Sequence, residues 1–263
     1  MYIFVMFAFL FAIGSFFGWG LEVFYRRFFS ASNPDRKWIN PGFLNGPCLP
    51  LYGFSLCSLF ALSLIDLSFV KNFYLRQIIL FIIMALFITF IEYIAGLIFI
   101  KKMKIKLWDY SNQWGNIQGI ICPKFTLYWA ILAASYYFVI HPRIISALIW
   151  LSKHLLFSFF IGFYFGIIAL DFWYSMNLSN KIREFAMENE VVIRYENLKA
   201  YIKENSKNPK FLLSFSSDKN LTDDLRDYFE KERQKIENLA ENIKKAADEA
   251  QEKINTIKDN FNK

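Results

Sequence analysis

The chain has 263 residues, 55% of them hydrophobic and 20% aromatic, with 31 phenylalanines, a positive mean hydropathy and a net charge of +7. A soluble domain of this length buries its core with far fewer aromatic residues, so the balance excludes an ordinary globular protein and points to an all-α membrane helix bundle. From residue 177 onward 17 basic residues are matched by 17 acidic ones. The surplus positive charge therefore lies in the apolar part, where it suits anionic lipid headgroups; a nucleic-acid partner would require a clustered basic surface and is not expected.

Taken in chain order, the apolar blocks predict five spans within a transmembrane domain, residues 1–177: Met1–Leu21, Leu49–Val70, Gln77–Ile100, Phe125–Ile140 and Leu155–Leu170. A helix needs roughly 20 apolar residues to cross the hydrocarbon. The last two are short and borrow aromatic flanks such as Tyr128 and Trp129, or Trp173 and Tyr174. Met1–Leu21 lacks the basic start of a cleavable signal peptide, and its charges, Arg26 and Arg27, follow it. The loops after the first and third spans carry nine Lys or Arg residues, and the loops on the opposite side carry four. That bias places the basic loops in the cytoplasm of a multi-pass protein of the cell membrane, with the N-terminus outside and the C-terminus inside. Residues 178–208 then read as one amphipathic juxtamembrane helix, with Tyr195 and Ile202 among its apolar positions. Residues 209–220 read as a linker, and 221–263 as a helix whose heptad-like seam suits a coiled coil, a homo-oligomer or a docked partner along 221–261, with a solvated amphipathic helix lying back on the protein as the plain alternative. Cys48, Cys57 and Cys122 form no disulfide framework and are expected as free thiols.

Two features of the apolar part carry chemistry. Gly14, Gly18, Glu22 and Arg26 recur every four residues and share one helix face; Ala85, Thr89, Glu92 and Gly96 make a similar one. Small residues let helices approach closely and turn the acids into the bundle, and a carboxylate at membrane depth is a functional candidate, with an ion pair to Arg26 as the plain alternative for Glu22. Asp171 is a third acid whose role is not evident from its position. The second feature is "NPGFLNGPCLP", residues 40–50, an uncharged yet irregular loop. Its backbone cannot face lipid unpaired and has to fold back against protein. Pro41, Pro47 and Pro50 fix its path, while Gly42 and Gly46 permit close approach. "NGPCLP" (45–50) and "QGIICP" (118–123) share an amide, a glycine and a proline, which suggests that the first two hairpins are parallel repeats. No phosphate loop is present, hence no ATPase of the chain's own; no Cys/His cluster has metal-ligand spacing, and neither metal nor cofactor is expected.

The motifs "GWGLE" (18–22), "NPGFLNGPCLPLYG" (40–53), "TFIEYIAG" (89–96), "WDYS" (108–111) and "NIQGIIC" (116–122) resemble the ABC-transporter type IV, or CmpB-like, membrane protein family over roughly residues 10–175. The resemblance implies a bacterial polytopic protein with the two motif loops at its functional centre, and a separate ATPase subunit as a partner. It maps motif positions onto residues that include Trp19, Tyr52 and Gly119. The chain departs from the pattern at Pro41 and Ile120, where arginine is expected, and at Ile100, where an acid is. Together these readings give a permease-like membrane component with a cytoplasm-facing polar pocket. Its binding candidates are Glu22, Arg26, Asn40, Asn45, Glu92, Trp108, Asp109, Tyr110 and Asn116, and Gly42, Gly46, Pro47, Pro50 and Gly119 shape the loops. A pocket of carboxylates, amides and aromatics suits a small cation, an amine or a polar headgroup. Two other classes stay open: a membrane-embedded enzyme acting on lipid or isoprenoid substrates, and a scaffold acting through the tail.

Overall fold

The computed structural model describes residues 3–30 and 33–205, and from the C-terminal stretch residues 223, 225–234, 237–238, 241–242 and 244–245. The chain divides into two compact units, Met1–Ser216 and Ser217–Lys263. The first is an all-α bundle of seven α-helices among the described residues: α1 (Ile3–Phe28), α2 (Pro50–Ser63), α3 (Phe73–Leu97), α4 (Pro123–Ser135), α5 (His141–Lys153), α6 (Ser158–Glu188) and α7 (Tyr195–Asn205). Two-residue strands β1 (Ile105–Lys106) and β2 (Ile193–Arg194) pair in parallel, tying the chain after α3 to the chain after α6.

Among the described residues, four helical stretches are long and apolar enough to cross a membrane: Ile3–Phe28, Phe73–Lys102, Pro123–Lys153 and Leu155–Glu188. Their outer faces carry exposed Phe4, Phe17, Phe159, Phe163, Leu170 and Trp173, the surface that suits lipid tails. Their inner faces meet in one apolar core. Phe9 and Leu10 of α1, Leu59 and Phe60 of α2, Leu80, Met84 and Ile88 of α3, Trp129 and Ala133 of α4, and Ile144 and Leu148 of α5 are all buried in it.

α1 and α2 form the tightest pair, and they are antiparallel: Tyr52 lies beside Gly18 and Phe60 beside Phe7. Close approach explains the glycine at 18, since a Cβ there would collide with the Cβ and ring of Tyr52. Asn72 caps α3 by accepting a hydrogen bond from the Leu75 backbone N–H at 3.1 Å.

The lengths of the expected spans need correction. The stretch expected at Leu49–Val70 is a helix of only 14 residues, about 21 Å long at 1.5 Å per residue. The two expected to be short are the long ones. The helix expected to end at Ile140 continues to Lys153: a π-helical turn over Tyr136–Ile140 precedes Pro142, and a widened turn next to a proline accommodates the missing N–H without ending the helix. The Tyr136 hydroxyl pairs with His141 Nδ1 at 2.8 Å across this turn. The stretch expected to end at Leu170 runs on through Asp171 to Glu188, because Asp171 turns inward to bond the chain rather than ending the helix. Residues 178–208 are accordingly not one helix. α6 ends at Glu188, Glu190 takes a positive φ of 54°, and α7 starts afresh after β2.

In the second unit the described residues between 223 and 245 are helical, with exposed ion pairs one turn apart, Arg233–Glu237 and Lys245–Glu241. The expected linker, 209–220, and most of the heptad-like seam lie outside the described residues.

Candidate functional site

The irregular loop before α2 is largely buried, and most of its polar groups are paired within the bundle, while the buried Asn45 Oδ1 has no hydrogen-bond partner among the described residues. Gly42 takes a φ of +81°, a conformation that glycine adopts without strain. The Trp19 indole donates to Asn40 Oδ1 at 2.7 Å, and Asn40 Nδ2 donates to the Asn45 carbonyl at 2.8 Å. The backbone N–H groups of Asn45 and Gly46 donate to the Asp171 carboxylate at 3.0 and 2.7 Å, and Asn45 Nδ2 reaches Ser175 Oγ at 3.2 Å. Asp171 thus fills a small backbone nest. The Leu49 N–H donates to the Ser15 carbonyl of α1 at 3.0 Å. The chain therefore reaches the level of Ser15 before Pro50 opens α2, which is why that helix is short.

Above this loop the two glutamates meet a set of aromatic hydroxyls. Glu22 accepts from Arg26 Nε at 2.8 Å and from the Tyr52 hydroxyl at 2.9 Å. Glu92, on α3, is 2% exposed. Its Oε1 accepts from the Tyr110 hydroxyl at 3.2 Å, and the Trp129 indole adjoins the carboxylate. Its Oε2 has no hydrogen-bond partner, and no Lys or Arg lies within ion-pair distance of it, among the described residues. Tyr52 packs against Trp129 with ring centroids 5.0 Å apart, and Tyr110 stacks on Phe125 at 4.1 Å. Glu22, Tyr52, Glu92 and Tyr110 form one electrostatically linked cluster with Arg26 at its edge. Burial pushes the Tyr110 phenol well above its ordinary range, so it donates as a neutral hydroxyl.

The remaining candidates have a different task. Trp108 donates to the Ile120 carbonyl at 2.8 Å, the Tyr110 N–H to the Gly119 carbonyl at 2.8 Å, and Asn116 Nδ2 to the carbonyls of Ser111 and Gln113. Gly119, with a φ of +68°, donates its N–H to Asn116 Oδ1. These bonds shape the 107–122 loop that delivers Tyr110 to Glu92. Asp109 has other partners. It accepts from Ser111 and pairs with Arg194 of β2 at 2.7 Å and with Lys106 at 3.4 Å. Burial raises its carboxyl, but the Ser111 bonds and the two cations outweigh that and hold it below the ordinary carboxylate range.

The largest surprise is α7. Glu196 pairs with Arg26 on the side away from Glu22, so the guanidinium lies between two carboxylates. Lys199, 3% exposed, donates its ammonium to the Gly42 carbonyl at 2.8 Å and the Leu44 carbonyl at 3.4 Å. Tyr195 stacks on Phe43, with ring centroids 6.1 Å apart, and bonds the Phe43 carbonyl. Burial pulls the Lys199 ammonium down to about 8 and pushes the Glu196 carboxyl above its ordinary value against the pull of Arg26. Lys199 lies one turn from Tyr195, on the face whose apolar positions include Tyr195 and Ile202, and a charge on an apolar face was the available signal. All three cysteines are free, and no group of three His, Cys, Asp or Glu side chains among the described residues is placed to hold a metal ion.

A family model described as "Putative ABC-transporter type IV" matches residues 9–176, well over half of the chain and the whole of the described cluster except α7. Neither a curated protein nor a solved structure matches the chain.

Proposed function

We propose, because the chain belongs to the ABC-transporter type IV family, that this membrane protein is the permease-like subunit of a transporter and that a small cationic cargo, an organic amine foremost, binds at Glu22, Glu92, Tyr52 and Tyr110. The reading rests chiefly on Glu92. A buried carboxylate is costly unless a cation or a full set of hydrogen bonds compensates it, and Glu92 has one hydroxyl donor, an adjoining indole and an unpartnered oxygen. Arg26 is already shared by Glu22 and Glu196. Aromatic rings beside the acids add attraction for an ammonium group. The multi-pass arrangement, with basic loops in the cytoplasm, follows the nine-to-four charge bias, and a separate ATPase subunit would supply the energy.

The test is a thermal-shift screen of the purified full-length protein with methylammonium, choline and putrescine. A ligand that binds the folded state raises the melting temperature by mass action. At least one amine is expected to stabilise the parent and not Glu92→Gln, while neutral isosteres do nothing. If the parent and Glu92→Gln respond alike to every amine, the cationic-cargo reading is wrong.

A further inference from the structure

α7 is an 11-residue helix whose polar groups are held by the bundle it follows. Its inner face buries Tyr195, Leu198, Lys199 and Ile202. Glu196 takes one side of Arg26, and Lys199 caps the carbonyls of Gly42 and Leu44. Its connection to α6 is the short stretch after Glu188, through the two-residue pairing of β1 with β2 and the Arg194–Asp109 ion pair.

We propose that α7 is a releasable cover over the Arg26 edge of the polar cluster, with Glu196 and Lys199 as its locks, and that its release is the step that opens the cluster to water. The proposal rests on reading that cluster as the cargo site.

Two physical features make α7 a cover rather than a fixed strut. First, the closed state is only partly satisfied. Glu196 Oε1 has no hydrogen-bond partner among the described residues, and the Lys199 ammonium is buried on two carbonyls and the Tyr195 ring, with no carboxylate within ion-pair distance among them. Charges taken from water on such terms return to it at modest cost. Second, the open state leaves little unpaired. Arg26 keeps Glu22, Asp171 keeps the N–H groups of Asn45 and Gly46, and the carbonyls of Gly42, Phe43 and Leu44 turn to solvent. An element with two arrangements of comparable cost is what a gate requires. Release also removes one carboxylate from Arg26, so cover and cluster are electrically coupled through a single guanidinium.

The experiment uses the purified full-length protein with Leu198→Cys, Cys48→Ser and Cys122→Ser, keeping Cys57 as an internal reference on α2. Labelling with a water-soluble maleimide is followed at each thiol by mass spectrometry. Glu196→Gln is expected to speed labelling at position 198 about tenfold, the effect of losing one charged hydrogen bond, and to leave Cys57 unchanged. Equal rates at position 198 with and without Glu196→Gln would overturn the proposal. So would equal acceleration at Cys57, which would mark Glu196 as a general stabiliser. If Leu198→Cys does not fold, hydrogen exchange on the native sequence decides. Amides of 195–202 should exchange through local opening, well before those of 84–92, and equally slow exchange would overturn the cover. Neither measurement needs a ligand. A fixed α7 therefore leaves the cationic-cargo reading standing, and a failed amine screen leaves the cover standing.

Discussion

Glu22 and Glu92 are the same residue type at similar depth, yet their neighbours give them different work. Glu22 is half-buried and answered by Arg26 and Tyr52, whereas Glu92 is fully buried beside a phenol and an indole. The pairing of Glu22 with Arg26 was legible from their spacing of four residues. The burial of Glu92 was legible from the small-residue face around it. The second partner of Arg26 was not, because Glu196 lies 170 residues away and only the return of α7 brings it there. Asp109 shows the same limit. In "WDYS" it reads either as a ligand contact or as an anchor at the membrane interface, but its partner Arg194 is 85 positions distant, and the pair makes it a loop anchor. Its stability effect has a definite sign. The native carboxyl is held below its ordinary 3.8, so just below that pH the unfolded chain binds more protons than the folded one. The contribution is complete above about 3.8 and is lost as pH falls through the native value. Asp109→Asn is therefore expected to lower the stability of the folded protein by about 1 kcal/mol or less near neutral pH, the range of a partly exposed ion pair. That difference should close as the pH drops below 3.8. A melting-temperature difference that persists unchanged in acid would assign the effect to packing rather than charge.

At the level of elements, packing decides which glycine-bearing faces matter. The face of Gly14 and Gly18 meets Tyr52, Gly53 and Leu56, whereas Gly162 and Gly166 have nothing within 4 Å of an added Cβ. Periodicity alone treats both faces as alike; only the antiparallel docking of α2 distinguishes them. Gly18→Ala is expected to destabilise the protein by about 1–3 kcal/mol, the usual cost of forcing a methyl group into a packed contact, and to displace Tyr52 from Glu22. Gly20→Ala, where the added Cβ meets nothing within 4 Å, should be neutral or slightly stabilising, because alanine favours helix. Equal melting temperatures for the two variants would refute the tight α1–α2 contact. The helix ends were the least legible elements, for two opposite reasons. The expected spans ended at Ile140 and Leu170, but a π-helical turn carries the helix past Pro142 and the nest at Asn45 and Gly46 takes up Asp171. Conversely, nothing in the apolar run after Pro50 reveals that its helix stops at Ser63.

For the whole molecule, that inserted loop decides the topology. Among the described residues four helical stretches are long enough to cross a membrane, and α2 is not. Counting helices alone gives four crossings and places both termini on one side. The geometry of α1 and α2 argues for five. α2 runs back along α1 from the level of Gly18 to the level of Phe7, about 16 Å of α1 at 1.5 Å per residue. The loop that precedes it is already bonded to α1 at the Ser15 carbonyl. Loop and helix together return the chain to the N-terminal end of α1, and on this five-crossing reading irregular backbone would stand at membrane depth only where protein surrounds it. An epitope inserted at Ser68, in the turn between α2 and α3, should therefore report the same side as the N-terminus. An epitope in the stretch Asp35–Lys37 should report the opposite side, shared with Lys101 and Lys102. Protease accessibility in intact cells and in inverted vesicles reads both positions. If the Ser68 epitope instead falls on the side of Asp35–Lys37, α2 does not cross, the number of crossings is four, and the sidedness drawn from the basic loops holds only up to α1.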